Sequence, residues 1–429
     1  MATPAAGSRA VRVPFARVEI VPEARVAAAE VLASGWVTTG PRTLTFEQDL
    51  AAYCGAAHAL AVSSGTAALE LSLRAMGLPA GAAVLTPSLT FCGAVQAIVH
   101  AGLRPVLVDV DDARCVPAPA DVERAVHRLA ADGGDRPVAM VVQHHAGHPV
   151  EVAPLAQAAG LPPDRVVQDA AHGLGGRFAD GAPIGSRGRA VCLSFYATKN
   201  LPIGEGGAVL TDDADLAARI GPARMHGMSR DSWARYLPGG SWRYDVVEPG
   251  LKANFTDLQA AIGSAQLHLL PHWQSRRAEL AARYDERFAA VPDLRVPPRP
   301  PGGGHAWHLY QVRLPAGQDR DELVEHLDQA GIGTSVHFVP VHQLTGFRRL
   351  LGPRECTAVP VTDRVAAQLL SLPFHPRLTD EDVDTVVGAV AEALTATRRR
   401  RRSGGGGPPG SARTQAAGDG ARSGEGAAS

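Results

Sequence analysis

Lys199 has the sequence context of a lysine that binds a carbonyl cofactor covalently. It follows the apolar segment 190–195 and precedes the glycines of 204–207, and Ser194 stands five residues before it. A primary amine condenses with an aldehyde to form an imine, and the protein must also hold the phosphate of that molecule. A solvated loop lysine is the alternative, but it would not need the strand, the hydroxyl and the glycines. The pattern therefore favours imine chemistry on a phosphorylated aldehyde.

The segment SSGT at 63–66 follows the apolar run 59–62 and opens a helix rich in alanine and leucine. Small hydroxyl residues and a glycine at a helix start cap the free N–H groups, and the same groups bind phosphate. Taken alone, an ordinary helix cap explains such a segment more often than a ligand does. Together with Lys199 and Ser194 it predicts a phosphate site.

Three further residues stand just after apolar runs and suit a flat, cationic ring. Asp169 follows the run 165–168, and a buried carboxylate there needs a cation, such as a protonated pyridine nitrogen. A helix-capping aspartate explains this segment equally well. His172 could donate a hydrogen bond to a ring oxygen, and Phe91 could stack on the ring. A structural histidine and a core phenylalanine are the commoner fates of these two residue types.

These residues need a sheet that brings strand ends together. Short apolar runs alternate with helical stretches between residues 20 and 270, at 59–62, 83–87, 105–110, 138–143, 165–169, 190–195 and 207–211. Continuous apolar strands separated by helices indicate an α/β sheet, mostly parallel and covered on both faces. In such sheets, ligands bind at the carboxyl ends of the strands. The fold therefore predicts one shared site for these residues.

The chain is predicted to contain two domains and two terminal segments. The N-terminal arm is expected at 1–20, the large α/β domain at 21–270, a small C-terminal α+β domain at 271–397, and a disordered Arg/Gly-rich tail at 398–429. One long helical stretch from Phe255 leads to the proline-rich segment 297–304. The small domain should contain HLYQVRL, a helix from about 320 to 330, GTSVHF and a last helix from about 380 to 396.

The amino-acid composition limits the kinds of molecule that the chain is expected to bind. The 429 residues include 42 basic and 43 acidic residues, so the chain as a whole has no strong field for nucleic acid or an anionic membrane. The arginine run 398–402 is interpreted as a solvated helix end, with a tether to nucleic acid as the alternative. The chain has no apolar run long enough for a membrane span and no apolar signal core, which predicts a cytoplasmic protein. The five scattered cysteines argue against a disulfide framework and a zinc site.

An ordered series of segments resembles the DegT/DnrJ/StrS-type family of pyridoxal-phosphate-dependent sugar aminotransferases, over roughly residues 15–396. The segments are SSGTAAL, TPSLTF, VVQDAAHGLGG, SFYATKNLPIGEGGAVLTD, MHG, LKANFTDLQAAIGSAQL, HAWHLY, GIGTSVHF and LLSLPFHPRLTDEDV. The DAAH and HAWHLY versions resemble most the members that aminate a 4-keto sugar on a nucleotide, such as UDP-4-amino-4-deoxy-L-arabinose aminotransferases. Many relatives have glutamine at the position of His172.

The resemblance implies the aspartate-aminotransferase fold, known as fold type I, an obligate homodimer and pyridoxal 5'-phosphate as cofactor. Lys199 would form the imine and then move the proton, and Asp169 would pair with the pyridine nitrogen. The remaining cofactor contacts implied are His172 at the ring hydroxyl oxygen, Ser64, Gly65, Thr66 and Ser194 at the phosphate, Phe91 on the ring, and the partner subunit's Asn254 at the phosphate. A lysine in this setting should have a lowered pKa.

The implied reaction moves an amino group from an amino acid, most often glutamate, to a keto sugar, with a nucleotide-linked 4-keto hexose or pentose as the expected acceptor. A carbocyclic ketone acceptor and a non-catalytic regulatory protein of the same fold are the alternatives. Family members that dehydrate sugars have histidine in place of the lysine, so Lys199 argues against dehydration. Arg230, Arg243 and His337 are candidates to bind the donor carboxylate.

Overall fold

The fold is described here from a computed structural model, which covers residues 11–229, 244–302 and 304–403. The large domain contains a seven-stranded sheet in the described part of the chain. Its strands are β1 (His58–Val62), β2 (Ala83–Pro87), β3 (Arg104–Val108), β4 (Ala139–Gln143), β5 (Val166–Asp169), β6 (Ala190–Ser194) and β7 (Gly207–Thr211), in the spatial order β1-β7-β6-β5-β4-β2-β3. All seven predicted apolar runs are thus confirmed as strands.

Strand β7 is antiparallel to both of its neighbours, and the other pairings are parallel. The sheet is therefore mixed but mostly parallel, as predicted. The antiparallel strand puts Gly207 opposite Val62 of β1 and Ser194 of β6. The amino-terminal end of β7 consequently lies beside the carboxyl ends of β1 and β6, where a ligand site is expected.

Helices cover both faces of this sheet. They are α1 (Pro22–Ser34), α2 (Pro41–Cys54), α3 (Gly65–Ala75), α4 (Cys92–His100), α5 (Pro119–Ala131), α6 (Val152–Ala159), α7 (Ala214–Ala223) and α8 (Asp257–Leu267). Phe46, Phe195 and Phe255 belong to the core on one face, and Leu69 and Ile98 belong to the core on the other. Because both faces are buried, the strands read as continuous apolar runs.

The long helical stretch predicted from Phe255 is divided into α8 and α9 (Leu270–Phe288). Thr256 starts α8 with a capping box, in which its hydroxyl accepts from the Gln259 N–H at 3.3 Å and the Gln259 Oε1 accepts from the Thr256 N–H at 3.1 Å. Pro271 occupies the first turn of α9. Because proline has no N–H to donate, it fits a first turn but cannot continue the helix before it.

The small domain is built around a two-stranded antiparallel sheet, β8 (Tyr310–Arg313) with β9 (Leu369–Leu372), in the described residues. Its helices are α10 (Arg320–Gln329), α11 (Thr345–Cys356), α12 (Pro360–Gln368) and α13 (Asp380–Ser403). The predicted element at 333–338 contributes only one bridge, between Ser335 and Ser371. The segment 369–372, which the sequence did not mark as a strand, pairs with β8 instead.

Both ends of the described chain contact the rest of the fold. In the N-terminal arm, Val13 bridges Ile332 and accepts from the Gly333 N–H at 2.9 Å, so the arm is tied to the small domain. The tail predicted from residue 398 begins too early, since α13 continues to Ser403. Arginine is a good helix former and suits a helix C-terminus, and Arg398 pairs with Asp293 at 3.0 Å. The glycine-rich part, 404–429, lies outside the described residues.

Two classes of feature are missing from the part of the chain that is described. No helix there combines the length and the apolar character that a membrane span requires. Within the same ranges, His, Cys, Asp and Glu side chains form no group of three or more that could hold a metal ion.

Candidate active site

A cavity of about 440 Å³ opens where β4, β5 and β6 end and α3 begins. Its lining includes eight of the nine predicted site residues, namely Ser64, Gly65, Thr66, Phe91, Asp169, His172, Ser194 and Lys199. It also includes residues that the sequence did not single out for a role here, among them Gln143, Glu205, His308 and Phe338. The sheet thus brings segments more than a hundred residues apart into one site.

The start of α3 forms a cradle of free backbone amides. Ser64 is the N-cap, and its hydroxyl accepts from the Ala67 N–H at 3.1 Å, which leaves the amides of Gly65 and Thr66 without an acceptor inside the helix. A methyl group at Gly207 would lie 2.5 Å from the Ser64 carbonyl carbon and 2.7 Å from the Gly65 nitrogen. Strand β7 therefore passes so close to the cradle that only glycine fits at position 207.

Ser194 completes this cradle from the neighbouring strand. A methyl group at Gly65 would lie 3.0 Å from the Ser194 Cβ, so the serine side chain stands directly beside the first residue of the helix. Two free amides, the helix dipole and hydroxyl groups together are a standard set of phosphate ligands. The cradle therefore fits a phosphate group.

Asp169 is buried at the end of β5 and has hydrogen bonds on both carboxylate oxygens. Oδ1 accepts from the Ala171 N–H at 3.0 Å, and Oδ2 accepts from the Gln143 Nε2 at 3.3 Å. Burial raises the pKa of this carboxyl group, while the Ala171 amide, the Lys199 charge and Gln143 oppose the rise. A buried carboxylate of this kind is stabilised by a cation, and a protonated ring nitrogen is one that fits.

Lys199 lies in the loop after β6, where its N–H donates to the Tyr196 carbonyl at 2.8 Å. Burial lowers the pKa of its ammonium group to about 8, and Asp169 acts in the opposite direction. The glycines after it let the chain return past the site. Gly206 has φ +152°, and a methyl group there would lie 2.6 Å from the Phe255 ring. The lowered pKa suits a lysine that must react as a free amine.

His172 and His308 are in contact in the cavity, with ring centroids 4.3 Å apart and ring planes tilted by 35°. The His172 Nδ1 accepts from the Ala146 N–H at 3.2 Å, which assigns the ring proton to Nε2. The Asn200 amide nitrogen donates to the Ala306 carbonyl at 2.7 Å, so its oxygen accepts from the His308 Nδ1 at 3.2 Å. The remaining ring nitrogen, Nε2, is therefore a hydrogen-bond donor on His172 and a hydrogen-bond acceptor on His308.

Burial, followed by the charge of Lys199, lowers the pKa of both histidines well below the usual value. The same two causes lower the pKa of His337 to about 4. The three imidazoles are therefore neutral near pH 7. Because they are neutral, they add no positive charge beside Lys199 and act as hydrogen-bonding groups.

Phe91 lies at the mouth of the cavity and is 54% exposed, so it is free to cover a flat ligand rather than fill the core. Its ring is 5.8 Å from that of Phe338, which comes from the small domain. Both domains therefore contribute an aromatic ring to the cavity. Three residues were candidates to bind the donor carboxylate. Arg230 and Arg243 lie outside the described residues, whereas His337 lines the cavity.

Asn254 does not line this cavity in its own chain. Its side-chain Nδ2 donates to the Thr39 hydroxyl at 2.8 Å, and its backbone bridges Val62 beside β1. The predicted contact with a partner subunit's phosphate site therefore stays a prediction.

The cavity residues that were not predicted from the sequence are of two kinds. Gln143 is the last residue of an apolar run, so the same rule that selected Asp169 could have found it. His308 and Phe338 belong to the small domain, and no local pattern shows that these segments face the sheet. Their position depends on how the two domains pack.

Comparison with known proteins agrees with the chemistry of the site. The model of the DegT/DnrJ/EryC1/StrS aminotransferase family matches residues 19–391. The spore coat polysaccharide biosynthesis protein SpsC of Bacillus subtilis is 42% identical over 370 residues, which are 85% of this chain and 92% of SpsC.

Two solved structures illustrate the similarity in fold. The sugar aminotransferase CalS13 from Micromonospora echinospora has a TM-score of 0.77 and 29% identity, over 89% of this chain and 99% of CalS13.

The second solved structure is Spr1654 from Streptococcus pneumoniae in its PLP form, with a TM-score of 0.79 and 27% identity, over 90% of this chain and 99% of Spr1654. These similarities confirm the predicted fold type I architecture and pyridoxal phosphate as the cofactor. The groups of the cavity fit that cofactor: a phosphate cradle, a buried carboxylate for the ring nitrogen, and an amine for the aldehyde.

Proposed function

The chain belongs to the DegT/DnrJ/EryC1/StrS aminotransferase family, and from this premise we propose that it moves an amino group from L-glutamate to a nucleotide-linked 4-keto hexose or pentose. It is a pyridoxal-phosphate-dependent sugar aminotransferase by family. The observation that supports catalysis most directly is the placement of Lys199, Asp169 and the α3 cradle around one cavity. A non-catalytic relative would not need all three.

Each group of the cavity has a task in this reaction. Pyridoxal phosphate, when bound, supplies a ring that accepts the electron pair released at a substrate carbon. The amides of Gly65 and Thr66 and the Ser194 hydroxyl would bind its phosphate, and Phe91 would cover its ring. Asp169 would keep a proton on the ring nitrogen, because a buried carboxylate favours a cation beside it. His172, whose Nδ1 accepts from the Ala146 N–H, would donate from Nε2 to a ring oxygen.

Lys199 performs the covalent attachment and the proton transfers. With a pKa of about 8, roughly a tenth of these lysines carry the neutral amine at pH 7, whereas an ordinary lysine is almost entirely protonated. The neutral form of this amine would bond to the aldehyde of the cofactor, and it would accept a proton from the α-carbon of the amino donor. In its ammonium form the same group would donate a proton to the acceptor carbon.

The side of the cavity formed by the small domain suits a hydroxyl-rich acceptor. The free acceptor nitrogen of His308 can take a hydrogen bond from a sugar hydroxyl, and His337 lies beside it with its Nδ1 2.9 Å from the Ser371 hydroxyl. Neutral imidazoles bind hydroxyl groups without attracting counterions. This arrangement favours a sugar over an apolar ketone, and a carbocyclic ketone that keeps ring hydroxyls would fit the same groups.

The proposal includes a homodimer in which the partner subunit's Asn254 reaches the phosphate of this site. Asn254 lies outside the cavity of its own chain, and Phe91 and Tyr196 are about half exposed at its mouth. Sedimentation velocity at several concentrations tests the dimer. Cofactor titration of Asn254→Ala tests the contact, and wild-type cofactor affinity in a dimeric variant would contradict it.

Two experiments test the reaction itself. The purified protein should absorb in the visible near-violet range, and borohydride should bleach it and fix the cofactor on Lys199, which peptide mass spectrometry would locate. Purified protein should then convert glutamate and a 4-keto sugar nucleotide to 2-oxoglutarate and an amino sugar. Transfer to a 3-keto sugar or a carbocyclic ketone alone would refute the acceptor, and absence of cofactor uptake would refute the whole assignment.

A further inference from the structure

Three side chains form a hydrogen-bonded bridge between the end of β2 in the large domain and α12 in the small domain. The Ser88 hydroxyl lies 2.7 Å from the His342 Nδ1, and the His342 Nε2 lies 2.8 Å from the Asp363 Oδ1. Ser88 and His342 are 0% and 4% exposed, whereas the Asp363 side chain is 45% exposed. This Ser88–His342–Asp363 bridge therefore begins in the core and ends at the surface.

The proton positions in the bridge follow from its two ends. The Asp363 carboxylate accepts, so the His342 Nε2 carries a proton and donates it. In the neutral ring, Nδ1 then accepts from the Ser88 hydroxyl. Both ring nitrogens of His342 are paired, and the ring is held from two sides. A buried histidine that is satisfied in this way orients its neighbours rather than binding a ligand.

Serine, histidine and aspartate are also the residues of a hydrolytic triad, but the arrangement here differs from it. In that triad the serine faces Nε2 and the aspartate faces Nδ1, whereas here Ser88 faces Nδ1 and Asp363 faces Nε2. Ser88 is also fully buried, so no acyl group can reach its hydroxyl. The bridge therefore suits a positioning task and not a nucleophilic one.

The bridge joins two loops that each carry an aromatic ring of the cofactor cavity. Phe91 lies in the loop 88–91 that Ser88 begins, and Phe338 lies in the segment 337–342 that His342 ends. These two rings, called the aromatic pair below, both line the cavity and have centroids 5.8 Å apart. The Phe338 ring also stacks on His172, at 5.8 Å and 22°. Fixing one loop against the other thus fixes the aromatic pair.

The α12 end of the bridge is itself attached to the large domain. Asp109, which follows β3, accepts from the Val361 N–H at 2.9 Å and from the Thr362 N–H at 2.7 Å, at the start of α12. Strand β3 pairs directly with β2, from which the bridge begins. Both ends of the bridge are therefore held by neighbouring strands of one sheet, which gives His342 a fixed frame.

We propose that His342 is a positioning residue, which through the bridge sets the spacing of the aromatic pair and with it the fit of the cavity around the cofactor ring. The inference rests on the proposed role of Phe91 as the cover of that ring. A backbone bond joins the same two loops, from the Val341 N–H to the Ser88 carbonyl at 2.9 Å. Loss of the bridge should therefore loosen the loops without separating them.

Ser88→Ala tests the bridge by removing one hydroxyl group, and Ser72→Ala is its control. Both serines are 0% exposed, but the Ser72 hydroxyl donates within its own helix, to the Ala68 carbonyl at 2.8 Å. Apo-protein is titrated with pyridoxal phosphate and followed by visible absorption and circular dichroism. In Ser88→Ala we expect the dissociation constant to rise about two- to tenfold, the range of one aromatic contact, and the dichroism of the bound cofactor to weaken. Ser72→Ala should match the wild type in both.

A double-mutant cycle tests whether the bridge acts through the aromatic pair. Phe91→Ala removes the cover itself, so adding Ser88→Ala to it should weaken cofactor binding by less than about twofold more. A full additional loss would mean that Ser88 acts by another route. Wild-type affinity and dichroism in the Ser88→Ala single variant would mean that the bridge positions nothing. Either result would overturn the proposal.

The exposed end of the bridge allows a test by rescue. Asp363→Ala leaves the His342 Nε2–H without its acceptor and should weaken cofactor binding as Ser88→Ala does, whereas Asp363→Asn keeps an accepting oxygen and should stay within about twofold of the wild type. Equal affinities of these two variants would refute the role of the carboxylate in the bridge. A wild-type protein that takes up no cofactor would refute the proposed function and this inference with it. Wild-type uptake that the bridge variants reproduce unchanged would refute this inference alone.

Discussion

Gly207→Ala is the substitution that tests the phosphate cradle most directly. The added methyl group would lie 2.5 Å from the Ser64 carbonyl carbon, 2.6 Å from its oxygen and 2.7 Å from the Gly65 nitrogen. All three are backbone atoms, so no side-chain rotation relieves the clash. Ordinary contact begins near 3.4 Å, so strand β7 and the start of α3 must separate by roughly 0.9 Å.

Two costs follow from that displacement. Overpacking of this kind lowers the free energy of unfolding by about 1–3 kcal/mol. The displaced amides also lose alignment with the cofactor phosphate, and one hydrogen bond to a charged group is worth about 1.5–3 kcal/mol. We therefore expect the dissociation constant of pyridoxal phosphate to rise about 10- to 150-fold.

The assay is a titration of apo-protein with pyridoxal phosphate, read by visible absorption, beside urea unfolding of the apo-protein at fixed concentration. Gly388→Ala is the control, because Gly388 lies inside α13 with no atom within 4 Å of the added methyl group. It should stabilise the helix by about 0.5–1 kcal/mol and leave cofactor binding unchanged. If Gly207→Ala binds the cofactor as tightly as the wild type does, the backbone cradle is not the phosphate site.

The remaining predictions concern the two proposed catalytic groups and one structural carboxylate. Lys199→Ala should still bind the cofactor but lose borohydride-fixed label and turnover; residual turnover near the wild-type rate would contradict its role. The rate of cofactor attachment to wild-type apo-protein should rise with pH and level off above about pH 8, because burial lowers the pKa of Lys199 to about 8 and the neutral amine reacts; a rate that keeps rising towards pH 10 would refute this. Asp169→Asn should lower turnover about 10²–10³-fold while cofactor affinity changes much less, and it should move that pH midpoint down, since Asp169 favours the ammonium form. Asp257→Ala removes bonds to the Thr43 amide and hydroxyl, at 2.9 and 2.7 Å, and should cost about 2–4 kcal/mol in urea unfolding without changing the activity of the folded protein; a loss below 0.5 kcal/mol would show that Thr43 finds other partners.

The large domain could be predicted from sequence because its strands are buried on both faces. Each strand is then a short apolar run, and the polar residue that ends it marks the ligand edge, as Asp169 and Ser194 do. The small domain lacks this signal. Leu369–Leu372 forms a strand because β8 offers it a partner, whereas 333–338 keeps a single bridge. Such pairing depends on tertiary contacts that no local pattern contains.

The direction of the hydrogen bonds at the site could not be predicted from the sequence either. His172 was expected to face the cofactor, but its tautomer follows from the Ala146 amide, which lies on a different strand end. The opposite tautomer of His308 follows from Asn200, whose amide is oriented by backbone carbonyls. Residue types at fixed spacing can predict which groups meet. Only the packed structure determines which nitrogen is left to donate.

These neutral histidines leave the proton chemistry to one residue. Lys199 depresses the pKa of His172, His308 and His337, and burial does so more strongly, so none of the three rings competes for a proton near pH 7. Asp169 is held by two hydrogen bonds and is expected to keep its partner cation rather than exchange protons. The amine of Lys199 is then the one group among these five that changes protonation in the working pH range. In the proposed reaction, a cavity arranged in this way would move protons through the lysine and would use its imidazoles to bind the hydroxyl groups of the substrate.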